Sequence, residues 1–330
     1  MILEAEIFPI SLRRPFRIAH GTSTVRQTVL VRLREGNFCA HGEGALPPYY
    51  PSQPAACLHW LKTLDPSAPL PPAPPEAAAA RVAVEMALCD LAAQRAGQPL
   101  WKFWRLDPSR TPPCPTTLSI PENENDLHEL LGEARAAGAP ALKLKSGSGD
   151  PEWDRRCADI TARSGLPFSI DANAGWTPAT AAGLIPRLAT HGVAFFEQPV
   201  SRDIAAWREL RDRLGPRTVP PLVADESLQT EADLHALAEV ADGMNIKILK
   251  AGGLEGARRW IALTRSLQKK VMVGVMVETG IGRTAAAHLA PLADWLDIDP
   301  PSSIPTAPLC GFEVVSGRIR LSDRPGLGLV

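Results

Sequence analysis

Apolar and polar residues alternate along much of the first 45 residues of the chain, a pattern typical of half-buried β-strands. Alternating runs cover 2–8 and 28–33, and a Gly36-Asn37 turn leads to a third run over 38–43. Between the first two runs, residues 16–23 are predicted to form a loop. The stretch 76–97 is Ala-rich, carries apolar residues at helical spacing and ends at Gly97. Strands followed by helices predict an α+β unit over residues 1–110.

After Pro113 the pattern changes to short apolar runs that alternate with helical segments. The runs predict eight strands, over 116–120, 141–145, 168–171, 193–197, 221–225, 244–247, 271–274 and 295–297. Because helices separate these strands, the region 111–305 is predicted to fold as a (β/α)8 barrel of the TIM type. A last alternating run over 313–321 follows the barrel, and we expect residues 306–330 to return to the α+β unit.

Composition narrows the class of protein. The 330 residues are 45% hydrophobic and carry a formal net charge of −1, so no basic field favours nucleic acid or a membrane surface. No apolar run approaches the roughly 20 residues that span a bilayer. The six cysteines form no CxxC pair, and the first residues lack the pattern of a signal peptide. We therefore expect a reduced, cytoplasmic protein without nucleic-acid or membrane partners, and we expect it to be a homo-oligomer.

The stretch Ala141-Leu142-Lys143-Leu144-Lys145 places two lysines on one face of a predicted strand. One interpretation is an edge strand with a solvated lysine face. The other is that the two ammonium groups repel each other, which would lower one or both pKa values. A lysine with a lowered pKa can act as a base near neutral pH.

Three carboxylates, Asp171, Glu197 and Asp225, end the next three predicted strands. An aspartate in this position commonly caps the following helix. However, the carboxyl ends of barrel strands meet at one mouth, so three successive carboxylates predict a common site. Their charge of about −3 calls for a divalent cation, and oxygen ligands favour Mg²⁺ over Zn²⁺.

Lysines stand on both sides of this acidic group, because Lys247 ends the strand that follows Asp225. Bases on two faces of one carbon predict that a proton is removed from one side and returned on the other. The carbon would be α to a metal-bound carboxylate, and the enediolate would be stabilised by the metal and by Lys143. The alternative is that the lysines are only counter-ions to the carboxylates, without a metal.

As a set, these segments resemble the enolase superfamily in its muconate-lactonising subgroup. The matching segments are Lys143-Leu144-Lys145, Asp171-Ala172-Asn173, Glu197-Gln198-Pro199, Ala224-Asp225-Glu226-Ser227, Asn245-Ile246-Lys247 and Lys250-Ala251-Gly252-Gly253. The resemblance implies an α/β fold, a modified (β/α)8 barrel with an α+β capping domain. It covers nearly the whole chain.

The resemblance also implies roles for individual residues. Asp171, Glu197 and Asp225 would hold one Mg²⁺ per subunit, Lys145 and Lys247 would be the acid/base pair, and Lys143 would contact the substrate carboxylate. Asn173 and Glu278 would contact these groups rather than the substrate.

Asp297-Ile298-Asp299 resembles the DxD motif of dipeptide epimerases, whose carboxylates hold the α-ammonium of a dipeptide. By the same resemblance, Thr117 and the backbone of Val275-Met276-Val277 would contact the substrate. The implied function is a Mg²⁺-dependent dipeptide epimerase that inverts the α-carbon of the C-terminal residue. The alternative for Asp297 and Asp299 is a cap on the loop that precedes Pro300-Pro301.

The capping loops differ from those of epimerases that prefer Ala-Glu, which carry an arginine to pair with the glutamate side chain. Here His20 or Gly21 occupies that position, and Arg17 and Arg26 are out of register. Because of this difference, the substrate could equally be a hydrophobic or a mixed dipeptide. His20 is a candidate residue for its specificity.

Two other functions remain open. One is another activity of the same barrel, such as o-succinylbenzoate synthase, N-succinylamino acid racemase or muconate cycloisomerase. The other is a non-catalytic barrel that binds a metal or amino-acid ligand.

Overall fold

The computed structural model describes residues 1–215, 219–299 and 309–330. The chain begins with a three-stranded antiparallel sheet of β1 (Ile2–Ile18), β2 (Gly21–Glu35) and β3 (Phe38–Ala45). The predicted loop over 16–23 is wrong, because both strands continue through it and leave only Ala19 and His20 between them. The register shifts between Ser11 and Phe16, and alternation then resumes up to Ile18.

Three helices follow this sheet: α1 (Pro54–Lys62), α2 (Ala78–Arg95) and α3 (Leu100–Phe103). Helix α2 packs closely on β3 because β3 carries Gly42 and Gly44. A Cβ atom at either glycine would overlap the carbonyl oxygen of Ala83 or Ala79. The predicted helix over 76–97 is therefore confirmed, and its many alanines allow the close approach.

Eight parallel strands form the second sheet, in an order that follows the chain from β4 to β11. They are β4 (Thr116–Leu118), β5 (Leu142–Lys145), β6 (Phe168–Asp171), β7 (Phe196–Glu197), β8 (Leu222–Ala224), β9 (Gly243–Lys247), β10 (Lys270–Gly274) and β11 (Trp295–Asp297). The helices are α4 (Glu124–Ala136), α5 (Pro151–Arg163), α6 (Pro178–Ala189), α7 (Ile204–Leu214), α8 (Glu231–Ala238), α9 (Ile248–Ala251), α10 (Leu254–Ser266) and α11 (Gly280–Leu289). The predicted barrel is confirmed, although several strands are shorter than expected.

Strand register brings the candidate residues to one level of the barrel. Lys145 on β5 pairs with Asp171 on β6, which pairs with Glu197 on β7. On the other side, Gly274 on β10 pairs with both Lys247 on β9 and Asp297 on β11. The polar residues that end these strands therefore line one mouth.

Two carboxylates of the first unit bind backbone N–H groups at the start of barrel helices. Glu85 on α2 accepts hydrogen bonds from the amides of Leu254 (2.6 Å) and Glu255 (2.9 Å), at the beginning of α10. Glu43 on β3 accepts from the amides of Thr279 and Gly282, both at 2.8 Å, at the beginning of α11. These contacts fix the α+β unit over the barrel mouth.

The C-terminal strands β12 (Phe312–Val315) and β13 (Arg318–Leu321) form a separate two-stranded sheet. Beyond them, the amide of Leu100 donates to the Gly326 carbonyl (2.8 Å), and the amide of Leu327 donates to Asp90 on α2 (2.7 Å). The predicted domain boundary between residues 305 and 306 lies outside the described residues. Within the described ranges, every helix is too short or too polar to cross a membrane.

Candidate active site

A cavity opens at the carboxyl ends of the barrel strands, beneath the hairpin of β1 and β2. The barrel residues predicted for the site that line it are Thr117, Lys145, Asn173, Asp225, Lys247, Val275, Met276, Val277, Asp297 and Asp299. The α+β unit contributes apolar and aromatic side chains, among them Phe16, Ile18, Tyr49 and Tyr50. The cavity therefore has a charged floor and a largely apolar roof.

Lys143 lies below the cavity floor, fully enclosed by carboxylates. Its Nζ atom is 2.5 Å from Asp297 Oδ2, 2.7 Å from Glu197 Oε2 and 3.0 Å from Asp171 Oδ2. Burial alone would lower the pKa of Lys143, but these carboxylates together raise it well above its usual value. A lowered pKa, which the sequence predicts for one or both lysines, is therefore wrong for Lys143, because three anions outweigh the effect of burial.

Lys145 and Lys247 reach the cavity itself, each held by a different carboxylate. Lys145 Nζ donates to Asp171 Oδ2 at 2.6 Å, and Lys247 Nζ donates to Asp225 Oδ2 at 2.8 Å. Burial acts to lower the pKa of Lys247, but Asp225 raises it well above its usual value. The strands β5 and β9 are four positions apart in the order of eight, so the two amines lie on opposite walls.

Asp225 has a second lysine partner, Lys250, at the end of α9. Lys250 Nζ donates to Asp225 Oδ1 (2.6 Å), to the Asp225 carbonyl (2.7 Å) and to the Asn245 carbonyl (3.0 Å). Burial lowers the pKa of Lys250 although Asp225 acts to raise it. Burial would also raise the pKa of Asp225, but Lys247 and Lys250 hold it well below its usual range.

Several buried oxygens around the carboxylates lack hydrogen-bond partners. The pKa of Glu197 is raised to about 8, mainly by burial and to a smaller extent by the charge of Asp171. Glu197 Oε2 is within 2.7 Å of Lys143 Nζ but is not aligned for a hydrogen bond. Within the part of the chain that the structure describes, the unpartnered buried oxygens at this site are Asn173 Oδ1, Glu197 Oε2, Glu226 Oε2 and Asn245 Oδ1. Such an excess of oxygen atoms fits a bound hard cation.

The carboxylates are not gathered around one point, because ammonium groups lie between them. Among the described residues, no group of three or more His, Cys, Asp or Glu side chains forms a ready metal cage. Lys143 contacts both Asp171 and Glu197, and Lys247 contacts Asp225. In this arrangement, lysines therefore pair with all three carboxylates that the sequence predicts as metal ligands.

Residues 126–330 match the profile of the enolase C-terminal domain-like family. This chain belongs to that family. It is 31% identical to the L-Ala-D/L-Glu epimerase of Bacteroides thetaiotaomicron, over 98% of this chain and 86% of that protein. It is 33% identical to the hydrophobic dipeptide epimerase of Roseobacter litoralis, over 76% of this chain and 72% of that protein.

A solved family structure also matches the fold over almost the whole chain. It is a dipeptide epimerase from Cytophaga hutchinsonii, complexed with Mg and the dipeptide D-Ala-L-Val. Its TM-score is 0.88 at 26% identity, and the match covers 99% of this chain and 95% of that one. The resemblance to the enolase superfamily expected from the sequence is therefore confirmed.

Asp297 and Asp299, from the motif that resembles the family's dipeptide epimerases, both line the cavity. Asp297 also accepts a hydrogen bond from Thr117 Oγ1 at 3.3 Å, across the seam between β11 and β4. Burial acts to raise the pKa of Asp297, but Lys143 lowers it. Burial and the charge of Asp297 raise the pKa of Asp299.

Two other predicted residues lie beside the cavity rather than in its lining. His20 is at the rim, with Nε2 3.9 Å from Glu226 Oε1 and its ring 5.7 Å from the ring of Tyr49. Glu278 lines a neighbouring cavity, and burial and Glu43 raise its pKa to about 8. Asn173 faces the site and donates to Asp171 Oδ2 (3.3 Å) and Glu226 Oε1 (3.0 Å).

Some residues at the site are not among those that the sequence predicts. Asn245 Nδ2 donates to Glu197 Oε1 at 2.8 Å, and Lys250 holds Asp225. Both belong to segments that carry the family resemblance, which is a signal that points to them. Tyr49 and Tyr50 come from the α+β unit, and only their aromatic character indicates them in the sequence.

Proposed function

We propose that this chain is a Mg²⁺-dependent dipeptide epimerase that inverts the α-carbon of the C-terminal residue of its substrate. The observation that carries the proposal is the position of Lys145 and Lys247 on opposite walls of one cavity. Binding alone needs no amine on each face of a ligand, whereas inversion of a carbon does. The dipeptide epimerases among the relatives support the same conclusion.

The two lysines exchange roles with the direction of the reaction. When one neutral amine removes the α-proton, the opposite ammonium group delivers a proton to the other face of the carbon. The number of protons on the enzyme is the same after each turnover, although the two lysines have exchanged states. The reverse reaction uses the same two groups in the opposite roles, so each stereoisomer depends on a different lysine as base.

Asp171, Glu197 and Asp225 are the residues that would hold Mg²⁺. When bound, the cation would neutralise these carboxylates and acidify the α-proton of the substrate carboxylate. If the cation neutralised Asp225, burial would favour the neutral form of Lys247. A lysine must be neutral to act as a base. The unpartnered oxygens of Glu197 and Asn245 support this assignment.

The two ends of the dipeptide would be held by different groups. Asp297 and Asp299 would bind the α-ammonium group, and Lys143 would face the substrate carboxylate. Thr117, which bonds Asp297, and the backbone of 275–277 would complete the wall around the peptide. His20, at the rim, would act on the site through Glu226. Glu278 would support the lysines through its electrostatic interaction with Lys247.

Residues 1–110 would serve as a capping domain, supported by the hairpin and the tyrosines that roof the cavity. We also place the enzyme in the cytoplasm, which its six free cysteines support. The homo-oligomer expected from the sequence stays a prediction.

The test is hydrogen exchange on a diverse dipeptide library in D₂O with Mg²⁺, followed by mass spectrometry. We expect deuterium at the α-carbon of the C-terminal residue of a subset of dipeptides. The matched control is the Lys145→Met/Lys247→Met double variant, which should not promote exchange. If no dipeptide exchanges, the proposal fails; exchange confined to N-acylated amino acids would indicate a racemase of that class instead.

A further inference from the structure

The side chain of Gln198 connects two of the loops that carry the proposed metal ligands. Gln198 follows Glu197 directly at the end of β7, and it is fully buried. Its amide oxygen accepts hydrogen bonds from two backbone N–H groups, those of Asp225 (2.9 Å) and Ser227 (3.1 Å). Its amide nitrogen donates to the Val200 carbonyl (2.8 Å) and to Ser227 Oγ (2.7 Å). One side chain therefore joins the loop after β7 to the loop after β8.

The contacts of Gln198 require both ends of an amide group. A backbone N–H can only donate and a backbone carbonyl can only accept, so the amide oxygen must face Asp225 and the nitrogen must face Val200. An ionised glutamate would lack the donor, and methionine would lack the donor and offer only a weak acceptor. Ser227 Oγ is held in turn by Trp207, whose Nε1 donates to it at 2.9 Å.

The backbone of Gln198 extends these links to a third strand end. Its N–H donates to the Val223 carbonyl on β8, and its carbonyl accepts from the N–H of Ala174, which follows β6, both at 2.8 Å. The φ angle of Gln198 is 37°, in the left-handed region that residues other than glycine seldom adopt. Such a conformation persists where the surrounding contacts over-determine it, and it is typical of functional sites.

Asp225 needs an anchor of this kind because two lysines compete for its carboxylate. Lys247 Nζ lies 2.8 Å from Oδ2, and Lys250 Nζ lies 2.6 Å from Oδ1. A cation must compete with both amines for these oxygens, so the position of the Asp225 backbone affects its binding. If the Gln198 amide were lost, two buried N–H groups would lack an acceptor and the loop would have to rearrange.

We propose that Gln198 is a positioning residue, which fixes the backbone of Asp225 so that its carboxylate and that of Glu197 face the same cation. This inference rests on the proposed Mg²⁺-dependent function. Gln198 acts through its two neighbours in space and touches neither the substrate nor the metal. Its loss should therefore appear first as weaker binding of Mg²⁺.

The experiment is a calorimetric titration of the metal-free chain with MgCl₂, which measures the Kd for Mg²⁺ without turnover. Gln198→Met keeps the length of the side chain but removes the amide, and we expect Kd to rise about 10- to 100-fold. Gln94→Met is the matched control, because Gln94 on α2 also donates between two elements, to the Cys39 carbonyl at 3.1 Å, but does not line the cavity. The control should lower stability and leave Kd within about twofold of the wild-type value.

A wild-type chain that binds Mg²⁺ and a Gln198→Met variant with the same Kd would overturn the inference and leave the proposed function intact. An equal rise of Kd in the Gln94 control would also overturn it, since the effect would then be a general loss of stability. If Gln198→Met does not fold, Ser227→Ala decides the question. It removes one partner of the Gln198 amide and should raise Kd about fivefold, and an unchanged Kd would contradict the positioning role. A wild-type chain that does not bind Mg²⁺ would overturn both the inference and the proposed function.

Discussion

At the scale of single residues, Asp297 contacts both Lys143 on β5 and Thr117 on β4. Its Oδ2 atom meets Lys143 at 2.5 Å, and its Oδ1 atom accepts from Thr117 at 3.3 Å. It also lines the cavity, so its charge is available to a bound cationic group. If the α-ammonium of a dipeptide binds there, the charge of Asp297 is needed only for substrates with a free amine.

Asp297→Asn should therefore raise KM for free-amine dipeptides by about tenfold or more, and should change KM for N-acetylated analogues much less. Steady-state kinetics on matched pairs of substrates measures this difference. Asp294→Asn is a suitable control, because Asp294 pairs with Arg265 at the opposite end of β11. An equal effect on both substrate types would contradict the ammonium-binding role.

Mg²⁺ should stabilise the folded protein, because carboxylates that repel one another would share a cation. At a concentration of about 100 Kd, binding contributes about 2.7 kcal/mol, which is a rise in Tm of several degrees. A thermal melt with MgCl₂, compared with NaCl at equal ionic strength, measures it. Glu197→Gln should weaken the dependence on Mg²⁺ concentration. A rise no larger than that with NaCl would argue against the site.

The residue scale also shows what the sequence can and cannot predict. Asp171, Glu197 and Asp225 follow from their places at strand ends, because a barrel brings those ends together. The raised pKa of Lys143 does not follow, since it depends on Asp171 and also on Asp297, which is 154 residues away in the chain.

At the scale of elements, the α+β unit contacts the barrel at the beginnings of two helices. Glu85 reaches α10, and Glu43 reaches α11. A carboxylate at a helix N-terminus satisfies free N–H groups and interacts favourably with the helix dipole. Such long-range caps could not be predicted from local sequence, because the acid and the helix belong to different units.

Glu85→Ala should lower the free energy of unfolding by about 1–2 kcal/mol, because two amides of α10 lose their acceptor. Urea denaturation measures the change. Glu239→Ala is the control, since the side chain of Glu239 makes only an exposed pair with Arg208 among the described residues and should change stability by less than about 0.5 kcal/mol. Equal effects of the two substitutions would contradict the capping role of Glu85.

The hairpin shows the limit of element prediction. Its strands are longer than the sequence predicts. The sequence predicts a loop there because the stretch near Gly21 is polar. Phe16 and Ile18 nevertheless continue the apolar alternation and line the cavity. The barrel strands are easier to predict, since each is a short apolar run between helices.

At the scale of the whole molecule, the C-terminal residues tie the two units together through His288 on α11. The His288 ring lies between the amide of Trp101, which donates to Nδ1 at 3.1 Å, and the carbonyl of Leu327, 3.3 Å from Nε2. These contacts require a neutral imidazole that donates from Nε2. Burial lowers its pKa to about 4.

This lowered pKa predicts a loss of stability in acid. The unfolded chain binds a proton at His288 near pH 6.5, whereas the folded protein does not do so until about pH 4. The stability that neutral His288 contributes is therefore present above pH 6.5 and is lost as the pH falls towards 4. Between pH 7.5 and 5.5 the free energy of unfolding should fall by about 1 kcal/mol. Urea denaturation at both values should show a smaller pH dependence in His288→Gln than in the exposed control His59→Gln. The same dependence in both variants would contradict this account.

The central claim is that Lys145 and Lys247 act on opposite faces of one carbon. The direct test is α-deuterium incorporation in D₂O with Mg²⁺, measured separately for the L,L and L,D isomers of an accepted dipeptide. Lys145→Ala should nearly abolish exchange from one isomer and Lys247→Ala from the other, each by about 100-fold or more relative to the isomer it spares. The two-base account is contradicted if each variant loses exchange from both isomers equally while it still binds them. It is also contradicted if either variant keeps wild-type exchange from both isomers.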